Sequence, residues 1–398
     1  MTGESKALEA LSIRVVASIH TIDADQWDAC AGVNKMDANP FVRHAFLAAL
    51  EDSGSVTSET GWQPQHLALE SPNGVILACA PLYLKDHSYG EYVFDWGWAN
   101  AYERAGGKYY PKLQCSIPFT PATGPRLMVR EDCTQSEASD LKKFLLAGMI
   151  ELADRLNVSS LHITFPNDQD IEVVTGAGLL PRVGQQFHWK NDGYDSFDAF
   201  LDALSSRKRK NIRKEREKAA ASDVKISAVS GNEITPRHWD AFYRFYRLTS
   251  DRKWGQAYLS RSFFDLLSER MGEQVVLIMG EENDEFVCGA LNLLGGDTLF
   301  GRNWGTVVHY PMLHFEVCYY RAIEFAIERG LSWVEAGAQG PHKLQRGYLP
   351  RKTYSAHWIA DPGFRTAIKQ YLEQERCAVE EDVETFGELG PFKRTGKS

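Results

Sequence analysis

VVLIMGEENDEFVCGALNLLGGDTLFGRNW, residues 275–304, reads as three strands in succession. Its apolar runs, 275–279, 286–294 and 298–304, are separated by the polar stretch 280–284 and by Gly295-Gly296-Asp297. Glycine beside Asn or Asp between two apolar runs marks a tight hairpin, because these residues tolerate the left-handed backbone such a turn needs. The stretch is therefore an antiparallel meander. Two helical periodicities precede it, 236–251 and 261–271, while a helix at 313–329 and a strand at 333–336 follow. Helices, meander, helix and strand in that order make a mixed α/β domain.

Working back toward the N-terminus, the first half follows a similar plan. Strand patterns at 13–17, 65–70 and 75–85 surround helical ones at 23–30 and 41–53, the second introduced by Asn39-Pro40. Ser71-Pro72-Asn73-Gly74 predicts a hairpin. Residues 88–126, dense in aromatics among glycines and prolines, read as strands and ordered loops. A helix at 136–156, a strand at 160–165, a short helix at 169–177 and a strand at 183–189 complete the half. The turn Asn191-Asp192-Gly193 ends it, which predicts domains of 1–192 and 193–398. The length of 398 residues favours two cores as well.

Composition excludes several classes. The net charge of -9 opposes non-specific attraction to nucleic acid, so such a partner needs a local basic patch. Cys30, Cys79, Cys115, Cys133, Cys288, Cys318 and Cys377 are odd in number, scattered and without zinc-ligand spacing, as expected of reduced thiols and no metal site. Met1 to His20 carries no apolar leader, and no stretch is long enough to span a bilayer, so a cytoplasmic location without membrane insertion is expected. No Gly-x-Ser-x-Gly, phosphate-binding loop or zinc motif supports a hydrolase, kinase or metalloenzyme.

Several segments carry a resemblance. Asn39-Pro40-Phe41 through Ala45-Phe46-Leu47, Pro81-Leu82-Tyr83-Leu84-Lys85, the run 92–98, Pro118-Phe119-Thr120-Pro121, the basic run 205–216 and Glu335-Ala336-Gly337-Ala338-Gln339-Gly340 are similar to the bacterial FemAB-like family of peptidoglycan biosynthesis or recognition. The resemblance spans about residues 10–375. It implies two tandem GNAT-like domains and transfer of amino acids from aminoacyl-tRNA to the peptide of a cell-wall precursor. The family's acidic-x-Gly strand end and aromatic-Lys motif correspond to Glu335-Ala336-Gly337 and His342-Lys343, where the aromatic is absent. The helical coiled-coil insertion of some Fem enzymes is also absent.

Four constellations supply candidate site residues. The helix around Arg207, Lys208, Arg209, Lys210 and Arg213 is the local electropositive feature and suits phosphates of tRNA, of a nucleotide-sugar or of coenzyme A; the competing reading is a solvated helix using Glu215 and Glu217 in ion pairs. Asp95, Trp96, Trp98, Tyr102, Glu103 and Arg104 combine aromatic walls with carboxylates, the makeup of a small-molecule pocket in which Asp95 or Glu103 would act as general base; core filling competes. Arg302 and Trp304 end a strand ahead of His314. The intervening 306–311 has almost no glycine and includes Pro311, which disfavours the backbone cradle that binds acetyl-CoA pyrophosphate. Finally, Glu335, Gln339, His342, Lys343, Arg346 and Tyr348 follow a strand, where Lys343 or Arg346 would stabilise an oxyanion and Glu335 would orient them; a salt-bridged surface loop is the competing reading.

These readings favour direct attack of an amine on an activated acyl donor, without a covalent enzyme intermediate. Asp95, Glu103, Glu335 and Lys343 are the candidate catalytic groups. The donor is aminoacyl-tRNA or an acyl-CoA, with no tightly held cofactor, and the acceptor is a small molecule or peptide. An acetyl-CoA-dependent N-acetyltransferase and a non-catalytic peptide-recognition protein are the alternatives.

Overall fold

A computed structural model of the protein describes residues 11–33, 38–254, 257–337 and 340–393. From the N-terminus come β1 (Ser12–Val16), α1 (Ala24–Ala31), α2 (His44–Asp52), β2 (Trp62–Pro64), β3 (His66–Glu70), β4 (Ile76–Ala80) and β5 (Leu82–Lys85). Next are α3 (Trp96–Arg104), β6 (Lys112–Cys115), β7 (Met128–Val129), α4 (Gln135–Arg155), β8 (Ser160–Thr164), α5 (Asp168–Gly176) and β9 (Leu180–Lys190). There follow α6 (Phe197–Ala203), α7 (Ser206–Ala220), β10 (Lys225–Ser230), α8 (Pro236–Trp254), α9 (Arg261–Met271), β11 (Val275–Glu282), β12 (Glu285–Gly295) and β13 (Thr298–Thr306). The remainder is α10 (Leu313–Phe315), α11 (Arg321–Glu328), β14 (Trp333–Glu335), β15 (Leu349–Ile359) and α12 (Pro362–Glu388).

Two compact units divide these elements. Unit 1 takes residues up to 184 together with 353–379, and unit 2 takes 185–352 with 380–398. In unit 1 the hairpin β3–β4, turned at Gly74 with φ +77°, joins β1 and β7 in a four-stranded sheet. Its second sheet runs β2, β5, β6, β8 and the end of β15, antiparallel except that β6 and β8 are parallel. One face of this sheet is Leu82, Leu113, Cys115, Leu161, Ile163 and Ala356, packed with Leu141, Leu145 and Met149 of α4. The capping box of Thr134 and Glu137 fixes where α4 starts.

Unit 2 contains the meander β10–β11–β12–β13, all antiparallel. After it β14 pairs in parallel with β13 and antiparallel with β9. Helix α8 packs so closely on β13 that a Cβ at Gly305 would lie 2.2 Å from the Phe245 carbonyl oxygen. Between α10 and α11 the helix widens into a π-helical stretch, Glu316–Tyr320, a deformation common at functional positions.

Three elements differ from their sequence reading. The strand expected over 75–85 is two, β4 and β5, in different sheets, helix α12 has no expected counterpart, and the stretch 96–104 changes type. The aromatic run is not strand and loop: it forms α3. Trp98, Ala99 and Tyr102, at helical spacing, pack against Phe364, Ile368 and Leu372, and this contact outweighs the strand preference of the rings. Among the described residues no helix is long and apolar enough to cross a membrane.

Candidate functional site

In unit 2 the decisive geometry is where β13 and β14 part. Their parallel pairing covers only Thr298↔Trp333, Leu299↔Val334 and Phe300↔Glu335, yet β13 continues to Thr306. Glu335 thus stands at the end of its strand, opposite His188 of β9 in register, with His188 Nδ1 3.8 Å from Glu335 Oε1. The Glu335 side chain is 14% exposed. Burial pushes its carboxyl up to about 8, although Arg302 and Arg351 nearby favour the anion. Burial likewise drives His188 down to about 3, helped by Arg351 and Lys343, so its ring is neutral. Its Nε2 lies 3.3 Å from Gln186 Oε1.

Lys343 is buried, with Nζ donating to the Gly337 carbonyl at 2.8 Å. Burial lowers it to about 8. His342 precedes it, and His342 Nε2 lies 2.9 Å from the Tyr319 hydroxyl while its ring packs 5.6 Å from Phe315. Arg346 lies 3.4 Å over the Phe315 ring and donates to Glu215 at 2.8 Å and to the His342 carbonyl at 2.6 Å. Tyr348 is fully buried and bonds the Tyr319 carbonyl. Trp304 and His314 rings meet at 5.3 Å, and His314 lies 5.4 Å from Tyr319. Of the residues expected here, Trp304, His314, His342, Lys343, Arg346 and Tyr348 adjoin one another, and Glu335 and Arg302 form a second group linked to them through His188. Gln339 lies outside the described residues.

Helix α7 sorts its cations. Arg216 is held by Glu316 at 2.8 Å and Glu324 at 2.6 Å, Arg213 faces Asp198 at 3.6 Å, and Lys208 and Arg209 are engaged by Gln345 and Asp202. Arg207, Lys210, Lys214 and Lys218 are exposed and make no side-chain bond among the described residues. Their spacing of three, four and four puts them on one stripe about 16 Å long. A cavity of ≈ 730 Å³ lies beside this helix, lined among others by Phe197, Arg213, Arg216, Glu316, Arg321 and Glu324. Within it Arg216 and Arg321 both pair with Glu316 and Glu324.

In unit 1 the α3 group is spread rather than gathered. Asp95 is buried at the N-cap, Trp98 is buried, Trp96 is 39% exposed, Tyr102 stacks on Phe364, and Glu103 and Arg104 face solvent. Asp95 pairs with Lys112 and accepts from the Tyr109 hydroxyl at 2.7 Å. Burial opposes its charge, but the Lys112 ammonium more than offsets this and holds the carboxyl well below the usual range, leaving it a poor base.

Asp95 belongs to a larger feature that sequence reading does not single out. The face of the unit 1 sheet opposite α4 is polar yet buried: Lys85 faces Lys112, Gln114 aligns with His162, and His162 with His357. His162 and His357 touch through Nδ1 at 2.6 Å, and Lys112 also donates to Glu91 at 2.7 Å and Ser88 at 2.8 Å. Lys85 sits 3.6 Å over the Trp62 ring. Only the alternation of polar and apolar residues in Ser160–Thr164 signals this face, and that pattern usually means solvent.

Against this geometry, the FemAB-like family profile, described as peptidoglycan biosynthesis/recognition, matches residues 18–394. The chain belongs to the FemAB-like family. Its mixed α/β fold of open sheets is shared with solved structures. FemX has a similar fold, at TM-score 0.52 and 12% identity, covering 87% of this chain and 98% of that one. So does the C-terminal domain of a protein named as a lysylphosphatidylglycerol synthetase from Agrobacterium fabrum, at TM-score 0.53 and 10% identity, covering 88% and 96%. A Bacteroides thetaiotaomicron protein of unknown function gives TM-score 0.51 at 10% identity, over 88% and 100%. No curated protein matches the sequence.

Proposed function

We propose that this chain is an aminoacyl-transferring N-acyltransferase of peptidoglycan or membrane-lipid biosynthesis, using aminoacyl-tRNA as donor, with its chemistry at Glu335. The observation that carries the reading is a carboxyl poised near 8 beside a neutral histidine, at the open end of a parallel strand pair. A base needs a proton affinity near that of its working pH, and burial supplies it here. Family membership and the fold of FemX support the reaction class.

In this reading the ionised Glu335 takes a proton from the acceptor ammonium, and the freed nitrogen attacks the ester carbonyl of the donor. A C–N bond forms, the C–O bond to the ribose breaks as its oxygen takes the proton held by Glu335, and the nitrogen releases its second proton to solvent, leaving a neutral amide. Lys343 supplies positive charge near the developing oxyanion. The stripe Arg207, Lys210, Lys214 and Lys218 offers the unneutralised charge that a phosphodiester backbone needs.

Acetyl-CoA is disfavoured as donor because the backbone that would cradle its pyrophosphate is occupied. Val307 N–H donates to the Val287 carbonyl at 3.0 Å and Val308 N–H to Thr306 Oγ1 at 3.1 Å. The test is transfer of radiolabelled amino acid from bulk charged tRNA to UDP-N-acetylmuramyl-pentapeptide or to the amine of phosphatidylethanolamine vesicles. Label should appear in one product, disappear with Glu335→Gln, and show a salt slope of binding reduced by about 1–2 in the Lys210→Glu, Lys214→Glu double variant. Absence of transfer to either acceptor, alongside acetyl transfer from acetyl-CoA, would reject the reading.

A further inference from the structure

We propose that the acceptor of this site carries a carboxylate on the same carbon as its reacting amine, and that Arg351 is the residue that reads it. This rests on Glu335 being the proton acceptor and deepens that reading by naming a substrate class.

Arg351 is the third residue of β15 and its guanidinium lies 4.5 Å over the Trp333 ring. Trp333 and Glu335 are alternate residues of β14, so their side chains leave the same face of the strand, with Cα atoms about 7 Å apart. Stacking on Trp333 therefore holds the guanidinium beside Glu335, and the charge of Arg351 is felt at both Glu335 and His188.

Yet Arg351 makes no ion pair or hydrogen bond among the described residues and is exposed to solvent. Its neighbours differ: Arg346 is consumed by Glu215, a carbonyl and Phe315, and Arg216 by Glu316 and Glu324. An arginine that is oriented by a ring, next to the candidate base and without an acceptor of its own, has the form of an anion anchor. The planar N–H fork fits a carboxylate in two parallel bonds, which a lysine cannot imitate.

A base and a guanidinium side by side on one strand face select a ligand whose amine and carboxylate are equally close. That is an amino-acid centre, either free or at the end of a side chain within a peptide. A plain alkylamine satisfies Glu335 alone. A phosphate monoester would engage the fork but brings no amine to the carboxyl.

The experiment compares 1,5-diaminopentane, L-lysine and meso-diaminopimelate, which share one carbon chain and differ in how many amines carry a neighbouring carboxylate. Calorimetric titration at pH 8.5 is expected to rank them in that order from weakest to tightest, with meso-diaminopimelate at least about tenfold tighter than 1,5-diaminopentane. The net charge of -9 acts against this ranking, since the diamine is the more cationic ligand. Arg351→Ala should abolish the preference and Arg351→Lys should restore only part of it, whereas Glu335→Gln should weaken all three alike. The tripeptide L-Ala-γ-D-Glu-meso-diaminopimelate in the same titration separates a peptide-borne centre from a free amino acid: whichever binds tighter is the source.

Equal affinities, a preference that survives Arg351→Ala, or no binding of any of the ligands at about 10 mM would each overturn the inference. Arg351 is exposed, so its variants should keep the wild-type unfolding midpoint, and a loss of binding then reports recognition. If the carboxylate preference fails while Glu335→Gln still abolishes amino-acid transfer, only the choice of acceptor falls; if Glu335→Gln transfers normally, the reading of the site falls with it.

Discussion

Replacing Glu335 by Gln should make the protein more stable, and by an amount that grows with pH. The folded carboxyl titrates near 8, against 4.5 for the unpaired group. The folded state therefore holds a proton that the unfolded chain has released, and the stability this carboxyl contributes is complete below about 4.5 and drains away as pH rises through 8. At pH 6 the ionisable side chain costs about 2 kcal/mol relative to its acid limit, and at pH 9 about 4–5 kcal/mol. Glutamine keeps the shape and never ionises. The difference in unfolding free energy between Glu335→Gln and wild type should hence widen by about 2–3 kcal/mol from pH 6 to pH 9. Urea unfolding followed by far-ultraviolet circular dichroism reads this as a midpoint difference that increases by about 1 M over the same range. The side chain is 14% exposed, so solvent screening takes only a modest share. Parallel curves for the two proteins, within about 0.5 kcal/mol across the range, would mean that Glu335 ionises like a solvated carboxyl, and the case for it as a base near neutrality would collapse.

Gly305→Ala should destabilise unit 2 by about 3 kcal/mol or more, because the added methyl meets the Phe245 backbone, which cannot yield as a flexible side chain would; Gly97→Ala, where nothing lies within 4 Å, should instead gain about 1 kcal/mol from helix propensity in α3, and thermal unfolding of the two variants separates these outcomes. Lys112→Met should cost about 3–5 kcal/mol near neutral pH by stranding Asp95 and Glu91 without their cation. That loss should shrink on acidification, as both carboxyls protonate, and calorimetry at pH 5 and pH 8 measures the difference.

How much of this was readable from the chain depends on whether the deciding interaction is local. The hairpins at Gly74 and Gly295-Gly296-Asp297 are written in turn chemistry and stand as read. The aromatic run is written locally as strand, but its partners Phe364, Ile368 and Leu372 lie far along the chain, and they make it a helix. The basic run announces charge without saying which charges are free. That follows from Asp198, Asp202, Gln345, Glu316 and Glu324, each placed by other elements. Glu335 and Lys343 stand out because polar side chains follow a strand end. His188 and Arg351 do not, since nothing in their local sequence distinguishes them and only strand register and ring stacking bring them near Glu335. The buried polar face of unit 1 is the extreme case, because Ser160-Leu161-His162-Ile163-Thr164 has the alternation of a strand facing water.

Both units use one frame, and the comparison supports placing the proposed chemistry in the second. Each has a parallel strand pair followed by an antiparallel neighbour: β6, β8 and β15 in unit 1, and β13, β14 and β9 in unit 2. At the matching register unit 1 aligns Gln114, His162 and His357, where unit 2 aligns Phe300, Glu335 and His188. A titratable pair thus stands at the same node in both. In unit 1 the two rings bond each other, Ser160 and Ser355 take their outer nitrogens, and Trp98 packs on them. Burial pushes His162 down to about 3 and His357 well below its ordinary range, so neither gains a proton near neutrality and neither has a free nitrogen for a ligand. In unit 2 a carboxyl replaces one ring, its partner stays 3.8 Å away, and β13 runs on past it. An acid whose affinity for a proton lies near 8 can take one from an ammonium and return it, because neither direction is steeply uphill at physiological pH. The same node therefore closes an internal hydrogen bond in one half and leaves a buried carboxyl at a strand end in the other, and the proposed proton exchange rests on that difference.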